Sequence, residues 1–241
     1  MALIQQFMKP NIICLKHGTL YGPEYVNRLY SMVSRHCTLP FKFICLTEDP
    51  TDLHKDIVHK ELPNLQIKGW WFKPYIFSKD LGLKGTTLYL DLDLIIVNNI
   101  DKLFTYLPGE FCIAQDFTRQ QVPSIRRFNS SIMKFEPFKH SFIWKSFERD
   151  MSFCIKSYRG DQDYIYKVAK NAGKLFPYEW LLSYKWEIRK QKRIDLTMPL
   201  GTRKLLQIED PEIPEECCIA VFHGDPKPDN CDDPIVDKYW K

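Results

Sequence analysis

Six short apolar segments recur along the chain with helix-patterned stretches between them, and this alternation restricts the fold more than any other feature. They are NIICLK (11–16), FKFICLT (41–47), TTLYLDLDL (86–94), FCIAQD (111–116), SSIMKF (130–135) and CCIAVFH (217–223). Between the first two, Val26, Leu29, Tyr30 and Val33 repeat at i, i+3, i+4 and i+7, behind a proline, Pro23, that suits a first helical turn. The pattern predicts a second helix from Pro74 towards Leu81, stopping near Gly82, a third over 142–155, and a fourth opening at Asp161 and ending before Gly173. Strands alternating with helices predict an α/β fold with an open, mostly parallel central sheet, flanked by helices and gathering ligands at its strand ends. No internal repeat, low-complexity segment or linker divides the chain, so 1–241 reads as a single domain.

The third segment poses a problem. Side chains alternate faces along a strand, so in TTLYLDLDLIIV Leu88, Leu90, Leu92, Leu94 and Ile96 line one side. Tyr89, Asp91, Asp93, Ile95 and Val97 line the other. Two like charges side by side in an apolar strand are costly unless a positive group or water reaches them. A divalent cation answers that cost, and carboxylate oxygens favour magnesium or manganese. A pair of capping or salt-bridged aspartates at a strand end answers it equally well.

Other stretches carry polar groups fit for a ligand. In VFHGDPKP (221–228) a strand runs into His223, Gly224 and a turn holding Lys227. An imidazole can complete a metal site begun by carboxylates, glycine admits a close backbone approach, and the lysine suits phosphate. The alternative there is a satisfied histidine followed by a surface turn. Asp161 fits a helix N-cap, while Gln162 and Asp163 follow in the first turn at the mouth of a crevice. Asn129 and Ser130 precede a strand and suit either a site or a turn. Thr19, Tyr21 and Tyr25 follow the first strand, where such folds hold a nucleotide. Lys73 stands beside Trp70 and Trp71, which read as core or subsite aromatics. The run 185–193 is basic with a tryptophan, a solvated face or a contact to an anionic membrane surface.

Composition narrows the classes. At 44% hydrophobic and 14% aromatic the chain is a folded one. Its apolar runs fall far short of the ~20 residues that span a membrane. The first residues lack the charged start and long apolar stretch of a secretory leader, so a soluble, cytoplasmic protein is expected. Eight cysteines spread through strands and a helix, without CxxC spacing, read as reduced packing residues. A net charge of +4 with basic and acidic residues interspersed suits an anionic ligand and offers no nucleic-acid motif.

Taken in order, these pieces resemble the nucleotide-sugar glycosyltransferases of the GT-A fold, in particular the family-eight-like branch that includes glycogenin and bacterial galactosyltransferases. The counterparts are the loop around Tyr21, the basic Lys73, DLD (91–93), NSS (129–131), DQD (161–163) and HGDPKP (223–228). The resemblance implies a nucleotide-binding half over about 1–116 and an acceptor-side half over about 117–241. It implies that Asp91, Asp93 and His223 bind Mn2+ or Mg2+, with Tyr21, Thr19, Lys73, Lys227 and Gly224 around the nucleotide and its diphosphate. Asp161, Gln162 and Asn129 would surround the donor sugar or acceptor hydroxyl. The implied reaction is transfer of a hexose, from a UDP-sugar by preference, to a glycan, lipid-linked or protein hydroxyl, with retention of configuration. The chain departs from the family pattern in having His223 and Gly224 adjacent and Asp229 where a tryptophan is usual. A sugar-phosphate nucleotidyltransferase uses a similar sheet and metal but normally carries a Gly-rich N-terminal loop, of which KHGTLYGPE is a poor version. A non-catalytic sugar-nucleotide-binding module is the third reading.

Overall fold

The computed structural model describes residues 9–120, 122–190 and 212–241. Strand β1 (Asn11–Lys16) begins with four consecutive buried residues, the pattern of a strand covered on both faces. Helix α1 (Pro23–His36) buries Tyr25, Val26, Leu29, Met32 and Val33. That stripe packs on Ile12, Cys14, Phe43 and Cys45, each apolar side chain contributing about 2 kcal/mol by leaving water. Strand β2 (Lys42–Thr47) pairs parallel to β1 with Asn11 opposite Lys42, and β3 (Val58–Glu61) pairs parallel to β2.

The helix expected from Pro74 is instead a 3-10 segment, Gly69–Phe77, followed by a short 3-10 turn, Lys79–Leu81, that closes on Gly82 with φ 61°. Proline lacks the N–H an α-helix interior needs, and Gly82 supplies the left-handed backbone that ends the turn. The strand expected over 86–94 is likewise two strands. β4 (Thr87–Leu90) pairs with β1, the chain bends through 91–93, and β5 (Leu94–Ile96) enters a different sheet. Aspartates cannot occupy the dry middle of a sheet covered on both faces, and the bend carries them to its edge.

Helix α2 (Asp101–Thr105) leads to β6 (Phe111–Gln115) and β7 (Phe128–Phe135). The single helix expected over 142–155 is broken into α3 (Phe142–Arg149) and α4 (Met151–Ser157) at Asp150, whose carboxylate accepts the Phe153 N–H at 3.0 Å as an N-cap. Helix α5 (Asp161–Ala169), strands β8 (Gly173–Leu175), β9 (Leu181–Ser183) and β10 (Ile219–Val221), and helix α6 (Pro234–Tyr239) complete the order.

The main sheet runs β3-β2-β1-β4-β7-β6-β8, and β7 alone opposes the common direction. Helix α1 covers one face; the Gly69–Phe77 segment, α3 and α5 cover the other. A three-stranded sheet, β5-β10-β9, extends the first core. All eight cysteines are free.

The described part of the basic run is solvated only in part, Lys190 being exposed while others turn inward. Arg189 is buried in an ion pair with Asp233, and Glu187 pairs with Arg119 at 2.8 Å. Ile188 packs in the core; residues 191–193 of the run lie outside the described residues. Among the described residues no helix is long and apolar enough to cross a membrane.

Candidate active site

The bend at 91–93 lies where β4 ends, and two lysines from distant parts of the chain meet it. The Asp91 N–H donates to the Ser131 carbonyl at 2.8 Å, which fixes the backbone beside β7. Its carboxylate accepts the Tyr89 hydroxyl at 2.6 Å and pairs with Lys73 Nζ at 2.9 Å. Tyr89 is two residues back on a strand and shares the face of Asp91, so this contact follows from alternation alone. Lys73 also reaches Ser130 Oγ at 3.2 Å and Asp161 Oδ2 at 3.4 Å, and Ser130 donates to the same Asp161 oxygen at 2.6 Å.

Lys73 is only 6% exposed. Burial by itself would push its ammonium towards neutrality, but Asp161 and Asp91 outweigh that and hold its pKa above the usual lysine value. Burial raises the Asp161 carboxyl above its ordinary range, with Lys73 and Ser130 pulling the other way.

Asp93 has a separate cation. Its carboxylate accepts the Tyr21 hydroxyl at 3.1 Å and binds the Lys227 ammonium. Burial and the neighbouring charge of Asp91 raise its pKa, and Lys227 offsets this only in part. The two carboxylates stand close enough for each to feel the other's charge, although the chain bends between the strands here and does not continue as the single strand expected. The Phe222 N–H donates to the Asp93 carbonyl at 3.1 Å, tying the end of β10 to the bend.

Two further residues come from β7 and α5. The β6–β7 ladder slips, Ile113 facing Met133 but Ala114 facing Asn129, and this irregularity turns Ser130 towards Lys73 and Asp161. Asn129 folds its side-chain oxygen onto the Ser131 N–H at 3.0 Å, the turn role. Gln162 donates to Asp116 Oδ2 at 3.0 Å.

His223 is placed differently from the metal-ligand expectation. Its Nε2 lies 2.7 Å from Ser183 Oγ, its ring stacks on Phe117 at 4.9 Å, and Trp186 meets it edge-on at 4.5 Å. Burial, with Lys185 next in weight, lowers its pKa to about 4, so the imidazole is neutral. Gly224 takes φ +70°, the left-handed conformation that favours glycine; the neighbouring Lys185 Nζ, 2.9 Å from where a Cβ would stand, sits on a flexible side chain that can move aside. Thr19 lies exposed in the turn after β1.

Among the described residues no three histidine, cysteine, aspartate or glutamate side chains converge as a metal cluster. The chemistry of Asp91 and Asp93, two hard oxygen donors under mutual repulsion, fits a hard divalent cation, whereas the neutral His223 is engaged elsewhere. Sequence reasoning missed Asp116 and Tyr89 and gave Ser130 no partner. Of these, only Tyr89 carried a local signal.

No family model and no curated protein matches the chain. Solved structures do. The apo form of the glycosyltransferase GlyE from Streptococcus pneumoniae is similar with a TM-score of 0.62 at 16% identity, over 94% of this chain and 57% of that one. A second GlyE structure gives 0.59 at 15% identity over 74% and 47%. An active-site mutant of LgtC gives 0.60 at 12% identity over 94% and 92%. The chain thus spans about half the length of the GlyE structures and nearly all of LgtC. The expected GT-A architecture is the one found.

Proposed function

We propose that the chain is a metal-dependent glycosyltransferase that moves a hexose from a nucleoside-diphosphate sugar, a UDP-sugar by preference, to a hydroxyl acceptor with retention of configuration. The observation that carries this reading is the pairing of Lys73 and Lys227 with the Asp91 and Asp93 carboxylates at the end of β4. A partly buried pair of carboxylates with two ammoniums beside it is suited to a diphosphate and a cation together. Asp91 and Asp93 would hold Mn2+ or Mg2+, which when bound supplies positive charge against the diphosphate. In the reaction the bond from the sugar's anomeric carbon to the phosphate oxygen breaks, its electron pair leaving with the nucleoside diphosphate. A bond to the acceptor oxygen forms and the acceptor's proton is released. Lys227, a quarter exposed at its side chain, is free to exchange Asp93 for a phosphate oxygen, while Lys73 holds Asp91 and Asp161 in place. Tyr21 orients Asp93, and Gln162 and Asn129 stand on the segments that would border the sugar.

The test is calorimetric titration of UDP, GDP and their glucose, galactose and mannose conjugates, with manganese and then with EDTA. Binding of one nucleotide sugar that EDTA removes, with transfer abolished in folded Asp91→Asn and Asp93→Asn chains, is the expected result. Failure of every diphosphate to bind, with or without metal, refutes it.

A further inference from the structure

Beside the aspartate site lies a second cleft of about 330 Å3, bordered by the ends of the two segments that carry Asn129 and Asp161. Arg127 enters it from the start of β7, Arg159 from the turn before α5, and Lys167 from α5 itself. One carboxylate, Asp163, faces these three cations. Among the described residues none of the three cationic side chains, all exposed, is engaged in an ion pair, so the cleft carries a net positive charge that Asp163 offsets only in part. Tyr158 and Tyr166 form apolar walls, each braced edge-on by a core ring, Tyr164 at 5.8 Å and Phe128 at 5.2 Å.

An unused aromatic stands next to it. Trp71 is core, stacked on Phe147 at 5.8 Å, but Trp70 is 58% exposed. An exposed indole beside a cleft offers a flat face on which a ligand can stack. Residues i and i+3 of a 3-10 helix eclipse, so Trp70 rises on the same side as Lys73. Its Nε1 would stand 3.2 Å from a Cβ at Gly160, the residue between Arg159 of the cleft and Asp161 of the site. Glycine there leaves the indole lying over the backbone that joins the two.

We infer that the acceptor is an acidic saccharide: Trp70 stacks on a sugar ring at the rim of the transfer site, and Arg127, Arg159 and Lys167 bind a carboxylate or phosphate that the acceptor carries. This deepens the transferase reading and rests on it. Guanidinium groups bind either anion through paired N–H donors, and an aromatic face takes the C–H side of a pyranose. An anionic group on the acceptor would add a second counter-charge to a cleft in which three exposed cations face the single carboxylate of Asp163.

Intrinsic tryptophan fluorescence of the full chain, titrated with trigalacturonate, glucose 6-phosphate and maltotriose, tests it. At least one acidic probe binds ten-fold or more tighter than neutral maltotriose, with affinity that falls as salt rises. Combined Arg127→Ala and Arg159→Ala substitution removes that preference, Arg159→Lys restores part of it, and Trp70→Ala weakens every saccharide. Which acidic probe binds separates a carboxylate from a phosphate acceptor. Equal affinity for all three probes, no saccharide binding, or a preference indifferent to the arginine variants overturns the inference. Donor titration of the same wild-type preparation reads the transferase proposal separately, since its failure leaves the saccharide result standing as a binding site without that reaction.

Discussion

Asp91 and Asp93 raise a question of charge that one residue cannot answer for another nearby in sequence. The countercharges come from Lys73, 18 residues before Asp91, and Lys227, 134 residues after Asp93. That Tyr89 meets Asp91 was legible, because side chains two apart at the end of a strand point the same way; that Asp161 and Ser130 join Lys73 was not, because nothing local links them. Replacing Lys73 with methionine leaves Asp91 and Asp161 partly buried without their cation, and removing one partner from such a pair costs about 3–5 kcal/mol. Urea unfolding of Lys73→Met is therefore expected to show a loss in that range, together with loss of donor binding in the same titration. A change below about 1 kcal/mol would mean that Tyr89 and Ser130 alone satisfy the carboxylates.

Elements were read where period and punctuation agree, and missed where they conflict. Helix α1 begins at Pro23 as expected, and β1 matches its segment from Asn11 to Lys16. The 142–155 stretch keeps its apolar spacing through Asp150, so periodicity hid a break that the cap reveals. Short strands such as β8 and β9 have three residues each and no readable period. The C-terminal element shows how a short helix is held: Asp233 caps α6 by accepting the Ile235 N–H at 2.8 Å while it receives the Tyr184 hydroxyl at 2.5 Å and pairs with Arg189. Asp233→Ala removes the cap, worth about 1 kcal/mol, and strands a buried guanidinium, worth about 3 kcal/mol. Hydrogen exchange should then show faster opening of α6 and of 184–190 together; acceleration of α6 alone would place the Arg189 pair outside the structural lock.

The stability of the whole molecule has a pH dependence that His140 exposes. It is 2% exposed, its Nδ1 accepts the Glu136 N–H at 3.0 Å, and burial lowers its pKa to about 4, against an opposing contact with the Glu136 carbonyl. The unfolded chain, with a histidine near 6.5, binds a proton that the folded chain refuses. Stability from this group is therefore complete above about pH 6.5 and is lost as pH falls towards 4, with a slope of up to about 1.4 kcal/mol per pH unit. His140→Asn, which keeps an acceptor and cannot take the proton, should flatten the urea midpoint against pH in that window; identical profiles would show that His140 contributes nothing there and leave the window to His223 and the carboxylates. At this scale the sequence by itself determined the layers, α/β alternation and the start of the sheet, because these follow from local period and breakers. Only the tertiary structure decided which cations face the aspartates, that His223 belongs to Ser183 and two aromatic rings, that Arg189 turns inward, and that Trp70 stands over Gly160. Each of those is a contact between segments far apart in the chain, set by how strands cross and register, and no pattern within a single segment encodes it.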